Sequence, residues 1–161
     1  MKKLKKIMFF TIALFALVLS SCSSDDSPNE NPDENQTTAN FIKFNYKGKT
    51  YSYEPTLSTS LSMNIYGSEG IDNTYKKVSL WMPLKPTLGS HPIVFDLSHL
   101  ETTYQARFTF MPDFNNTDAT TGTLNITVLT DKKIEGTFSF SGTKNNTTFE
   151  VTDGSFSFER F

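Results

Sequence analysis

Lys133-Ile134-Glu135-Gly136-Thr137-Phe138-Ser139-Phe140 alternates apolar or small residues with polar ones without a break. Successive side chains of a strand point to opposite faces, so this period of two marks a strand with one dry and one wet face. Ile134, Gly136, Phe138 and Phe140 take one face; Glu135, Thr137 and Ser139 take the other. Upstream, Leu124, Ile126 and Val128 share a face, and Asp131-Lys132-Lys133 turns the chain back. Downstream, Gly142-Thr143-Lys144-Asn145-Asn146 supplies a second turn. Phe149 and Val151 then alternate with Thr148 and Glu150, Asp153-Gly154 reads as a hairpin turn or glycine bulge, and Phe156 and Phe158 close the run. Neighbouring strands of matching parity share a face. Phe138 and Phe140 are therefore expected to enter a core with Leu124, Ile126 and Val128.

The same period runs through the earlier part of the chain. Ile42, Phe44 and Tyr46 fall on one face, Lys47-Gly48 is a tight-turn signal, and Tyr51 and Tyr53 share a face on the return. Pro55 ends that strand. Leu57, Thr59, Leu61, Met63 and Ile65 alternate with Ser58, Ser60, Ser62, Asn64 and Tyr66, which reads as one long strand. Gly67 to Asn73 reads as a loop. Tyr75 to Met82 reads as a strand with Val78, Leu80 and Met82 inward and Lys77, Ser79 and Trp81 outward. Pro83 to Pro92 holds three prolines and Gly89, so it reads as a crossing connection and not a central strand. Ile93-Val94-Phe95 is a short strand at best, and Asp96 to Thr102 a loop or single helical turn. Tyr104, Ala106, Phe108 and Phe110 alternate again, and Pro112 to Thr121 reads as a polar loop.

No stretch of residues 41–161 keeps an apolar period of 3.6 over three turns. The fold class is therefore all-β: a single antiparallel domain of about eight to ten strands, a sandwich or a flattened, partly open barrel. Its 121 residues suit one core. Twelve of the 15 phenylalanines lie in this domain, which argues for a filled interior.

Three stretches of this domain carry a resemblance: Gly122-Thr123-Leu124-Asn125-Ile126-Thr127, Lys133 to Phe140, and Val151-Thr152-Asp153-Gly154-Ser155-Phe156. Together they resemble the C-terminal block of a family of small Bacteroidota-type lipoproteins whose domain has unknown function. Phe44-Asn45-Tyr46-Lys47-Gly48-Lys49-Thr50-Tyr51 is similar to that family's opening hairpin. The shared motifs are glycine turns and alternating phenylalanines, so the resemblance implies a fold and a location and no activity.

The amino-terminal segment agrees on location. Lys2, Lys3, Lys5 and Lys6 precede a run from Ile7 to Leu19 that is uncharged and apolar except at Thr11. A charged start, an apolar middle and a small-residue exit make an export signal over residues 1–21. Its 13 apolar-run residues are too few for a bilayer span, which takes about 20. Leu19-Ser20-Ser21-Cys22 resembles the lipobox of bacterial lipoproteins. That resemblance implies diacylglyceryl transfer to Cys22, cleavage before it, and acylation (a palmitate-type chain) of the new amino terminus. More than one chain is needed because a single acyl chain holds a membrane only marginally. Cys22 is the only cysteine in the chain, so a lipidated Cys22 leaves no thiol for a disulfide, a metal or a nucleophile.

Residues 22–40 then read as lipidated cysteine and tether. Five acids, two prolines and no base fall in this stretch, too little apolar area to offset the entropy of ordering. A coil of that length would hold the domain roughly 20–25 Å from its anchor. Ser23-Ser24-Asp25-Asp26 resembles the surface-export signal of Bacteroidota-type lipoproteins, which implies the outer face of the outer membrane; an ordinary tether would leave the protein on the periplasmic face. The domain itself has 11 bases against 12 acids, a balance that leaves no electrostatic footprint for nucleic acid.

Candidate chemistry is sparse. His91, Asp96, His99 and Glu101 share one loop, but their spacing fits no zinc pattern. Asp113-Phe114-Asn115-Asn116-Thr117-Asp118 sets oxygens at alternate positions, as a calcium loop does, but Asp118 stands where glycine is needed and Leu124 where the bidentate glutamate belongs. No Gly-x-Ser-x-Gly elbow is present, and nothing in the spacing of the acids selects a glycosidase-type pair. No catalytic, cofactor or metal residue is assigned. Trp81 is the one candidate ligand contact. On the face opposite Val78, Leu80 and Met82 it would form a stacking platform, unless the Pro83–Pro92 connection covers it.

The sequence thus predicts a non-catalytic cell-envelope lipoprotein. It would be held in the outer membrane through Cys22, without cofactor, and would act as a binding or structural module for a glycan, a protein or a small apolar ligand. A lipocalin-like carrier with its ligand inside a barrel and a glycan-processing accessory enzyme are the alternatives.

Overall fold

The computed structural model describes residues 40–160; the signal segment, Cys22 and the tether through residue 39 lie outside the described residues. Eleven strands form among the described residues: β1 (Phe41–Tyr46), β2 (Lys49–Tyr53), β3 (Thr56–Thr59), β4 (Met63–Glu69), β5 (Lys76–Met82), β6 (Gly89–Pro92), β7 (Gln105–Phe110), β8 (Phe114–Asp118), β9 (Thr121–Leu129), β10 (Lys133–Lys144) and β11 (Thr147–Glu159). Single 3₁₀ turns stand at Asp72–Thr74 and Leu97–His99. None of the described residues forms a helix long and apolar enough to cross a membrane.

The strands make two antiparallel sheets, β2-β1-β11-β10-β9-β6 and β3-β4-β5-β7-β8. They face each other as a sandwich and do not close into a barrel. Turn chemistry sets the hairpins. Lys47 and Gly48 sit at φ 49° and 73°, and Asn145 and Asn146 at 50° and 62°; a two-residue type I′ turn needs positive φ at both positions. The chain changes sheets where β8 ends. The Ala119 amide still donates to the Ala106 carbonyl of β7, and the next amide, Thr120, donates to Ser141 of β10.

Alternation fills the space between the sheets with rings. Phe108 of β7 stands at the centre, with centroids 4.9 Å from Tyr46, 5.0 Å from Phe149 and 6.2 Å from both Phe44 and Phe114. Strand β1 runs across the second sheet and not along one of its strands. Ile42 lies under Gly67 of β4, while Tyr46 packs on Phe108 and Phe110 of β7. Gly67 permits that crossing, because a Cβ there would meet Ile42 and come within 2.7 Å of Tyr53 Cβ. Ile42, Phe44, Ile65, Val78, Leu80 and Met82 are wholly buried, as the alternation requires.

Several local expectations are corrected. The long strand expected over residues 57–66 is a hairpin: β3 and β4 pair through Leu57↔Ile65 and Thr59↔Met63, and Leu61 at the turn is exposed. The alternation persists through the bend by chance of composition. Gly67, Ser68 and Glu69 belong to β4, so the loop begins later than its first glycine. Gly89 to Pro92 is a strand after all. It is an edge strand paired only to β9, where the missing amide of a proline is tolerated. Ile93 makes a single parallel bridge to Tyr104.

The polar loop expected over residues 112–121 contains β8. Phe108 pairs with Thr117 and Phe110 with Phe114, so Asn115 and Asn116 together oppose Thr109. Asn116 takes φ 48° and its amide donates to Thr109 Oγ1 at 3.1 Å. This bulge turns Phe114 and Thr117 inward at a spacing of three, which hides the strand from a search for period two. A second bulge displaces Val128. Glu135 pairs with Val128 and Gly136 with Ile126, so Val128 joins the Glu135 face and Leu129 packs on the core instead. The turn expected at residues 142–146 is only Asn145-Asn146, with Gly142 buried inside β10. Asp153-Gly154 is a bulge within β11, the two residues opposing Phe44 of β1.

Candidate functional site

Trp81 lies on the outer face of the five-stranded sheet, opposite the wholly buried Val78, Leu80 and Met82, and is half-buried. Cross-strand pairing places Tyr66 and Arg107 on either side of Ser79, and Asn64 and Gln105 on either side of Trp81. Residues directly opposite on one face come within about 5 Å at Cβ, and diagonal ones remain in reach of long side chains. Four large side chains therefore close over the small Ser79: Tyr66 and Arg107 from the neighbouring strands, Lys77 and Trp81 from β5 itself. Ser79 is only 1% exposed although it points away from the core.

Each cation of this group rests on a ring. The Arg107 guanidinium lies 5.1 Å from the Trp81 ring centroid, and Lys77 Nζ lies 4.1 Å from that of Tyr66. Such contacts contribute about 0.5–2 kcal/mol according to desolvation. Arg107 is fixed from the other side, its Nε donating to Asp118 Oδ1 at 2.6 Å. Burial, and then the Arg107 charge, push the Lys77 pKa below the usual lysine range. The cover on Trp81 thus includes Arg107, one strand away from β5.

The face is bordered by the segment between β6 and β7. Gln105 Nε2 donates to the Asp96 carbonyl at 2.5 Å and to Thr103 Oγ1 at 2.8 Å. These bonds hold the segment against the sheet beside Trp81. On the other flank, Asn64 Oδ1 is buried with no hydrogen-bond partner among the described residues. Two residues past Trp81, Pro83, Leu84 and Lys85 join Ser60, Leu61 and Glu101 around a surface cleft of about 450 Å³.

The remaining candidates are dispersed. His91 stacks on Tyr104 with centroids 3.9 Å apart, and its Nε2 is 2.8 Å from the Thr87 carbonyl. His99 Nδ1 lies 2.8 Å from Asp96 Oδ2, a contact that, with the Ser98 amide, holds the Asp96 carboxyl below the usual range. No group of three or more His, Cys, Asp or Glu side chains suited to a metal occurs among the described residues. In the calcium-like stretch the oxygens diverge. Asp113 pairs with Lys47 at 3.2 Å, Asn115 O accepts from Lys144 Nζ at 2.8 Å, and Asp118 is taken by Arg107.

Sequence reasoning found Trp81 and its face but missed Tyr66, Lys77 and Arg107 as a group. Lys77 and Ser79 were legible on that face by alternation. That β7 lies beside β5, and brings Arg107 to Trp81, depends on register. No family model, no curated protein and no solved structure matches the chain.

Proposed function

We propose that this chain is a non-catalytic lipoprotein of the bacterial outer membrane, held through Cys22, whose β-domain binds a ligand on the Trp81 face. The single observation that carries the binding half is the Trp81 ring. It is part-buried on the outer face of an ordered sheet and braced by Arg107, which is itself braced by Asp118. A rigid aromatic offers large contact area at little entropic cost, and an ordered sheet leaves little backbone to be fixed on binding. A ligand with a flat apolar face and a polar rim fits such a platform, and a sugar ring has that form. The lipobox resemblance at Leu19 to Cys22 and the family resemblance of the domain support the anchored, surface-facing half. The carrier alternative rests on an enclosed barrel, whereas the described strands form two open sheets.

Trp81 is the only tryptophan in the chain, so its fluorescence reads this face alone. Titration with a panel of soluble oligosaccharides should shift or quench the emission for at least one member. Trp81→Ala should abolish retention of that oligosaccharide without changing the melting temperature by more than a few degrees. An emission that is strongly blue-shifted, resists aqueous quenchers and ignores every member would remove the binding role and leave a structural one.

A further inference from the structure

The binding reading leaves the chemistry of the ligand open, and Lys77 narrows it. Lys47, Lys76, Lys133 and Arg107 each pair with a carboxylate. Lys77 has no such partner among the described residues; its ammonium lies over the Tyr66 ring. It is half-buried, one diagonal step from Arg107 on the same face. Asp118 is the one acid paired into this group, so the rosette around Ser79 carries one uncompensated positive charge. Placing two cations side by side in a partly desolvated setting is unfavourable, and an anion between them would relieve it. Arg107 is equipped for that. Its Nε–H is engaged by Asp118, and a guanidinium offers five N–H donors in all.

Resting on the reading that this face binds sugar, we infer that its ligand is an acidic glycan, a pyranose chain bearing carboxylates. One ring lies on Trp81, and the carboxylate is taken by Lys77 with the free edge of Arg107. A small inorganic anion would use the cations and ignore the rings. A neutral glycan would use the rings and leave Lys77 unpaired. Cations and rings share one face of the sheet, so a ligand joining ring and carboxylate in one unit can meet both. The domain's 11 bases and 12 acids keep this a local preference and not a general attraction for polyanions.

The test uses the full chain in neutral detergent and the emission of Trp81. The probes are oligogalacturonate and the same oligomer after carboxyl reduction. The acidic oligomer should bind and weaken as salt rises, and the reduced oligomer should bind at least about tenfold less tightly, the loss of one charge-assisted hydrogen bond. Lys77→Gln should lower affinity for the acidic oligomer by a similar factor, and Lys77→Arg should restore most of it. Lys77→Gln should also melt within a few degrees of the parent, because the fold loses only one part-exposed ammonium–ring contact. That separates a binding role from a structural one. Equal binding of both oligomers, with no effect of Lys77→Gln, overturns the acidic ligand and leaves sugar binding standing. Saturation by inorganic phosphate alone overturns it as well. No binding of either oligomer, together with silence across the oligosaccharide panel, overturns both readings.

Discussion

Gly154 has no side chain because Phe138 occupies the place one would take. A Cβ there would meet the Phe138 ring and lie 2.6 Å from its carbonyl oxygen. The ring in turn is 3% exposed and stacks on Phe140 at 5.9 Å. Phe138→Ala should therefore cost about 3–5 kcal/mol, a large part of the about 5–15 kcal/mol that holds a domain of this kind, and thermal melts of the full chain in detergent should show it. A melting temperature equal to the parent's would mean that the register of β10 is wrong. Glu135 shows the electrostatic counterpart on the wet face. It accepts from Lys133 at 2.6 Å and from Ser157 Oγ at 3.1 Å, and the lysine holds its carboxyl below the usual range. A depressed folded-state pKa gives stability that is full above the unfolded-state value and is lost as pH falls through the folded-state one. Glu135→Gln should thus lower stability slightly near neutrality, by under about 1 kcal/mol for a pair this exposed, and should flatten the acid limb of a melt-versus-pH curve. An unchanged acid limb would mean the pair contributes nothing.

At the scale of the element, the alternating runs were readable because each residue reports its own face. The bulges were not, because each is a count of two residues against one on a partner strand that local sequence does not identify. Thr127 is the clearest case: with it inserted, Val128 turns outward beside Glu135 and Leu129 turns in. Val128→Ser should change stability by no more than about 0.5 kcal/mol, as at an ordinary surface position. Ile126→Ala, two residues away, should cost about 2–5 kcal/mol. Denaturant titrations decide this, and a large loss at Val128 would restore the unbulged register. Strand β8 escaped for the same reason, since Phe114 and Thr117 face inward three apart. The candidate site was half legible on these terms. Alternation within β5 put Lys77 and Trp81 on one face, while Tyr66 and Arg107 arrive from β4 and β7 through pairing that only the fold reveals. The edges follow a different logic. The six-stranded sheet ends on one side in the four-residue β6, with Pro92 as its last residue, short and donor-poor, which blunts pairing with other chains.

For the whole molecule, the question is how a domain with a filled core is put to use, since its interior is taken up by its own rings and its chemistry must lie on a surface. If Cys22 is lipidated as proposed, the anchor and the segment that follows it would decide what the Trp81 face can meet. Cys22 is the only cysteine in the chain, and under the proposed reading a diacylglyceryl group on it plus an acylated amino terminus would give the multiple chains that stable anchoring requires. Cys22→Ala should move the protein from the membrane fraction to the soluble fraction, and retention in the membrane would remove the anchor. The acids Asp25 and Asp26 test direction independently of attachment. They lie three and four residues after Cys22. Replacing both by asparagine leaves Cys22 and the length of the tether unchanged, so membrane fractionation should be the same as in the parent. If the pair directs export to the outer face, the double variant should become resistant to protease added to intact cells while remaining sensitive in lysed ones. Equal digestion of parent and variant on intact cells would make those acids a solvated spacer. Resistance of both on intact cells would place the domain on the periplasmic face, where the Trp81 face would meet periplasmic glycans and not those outside the cell.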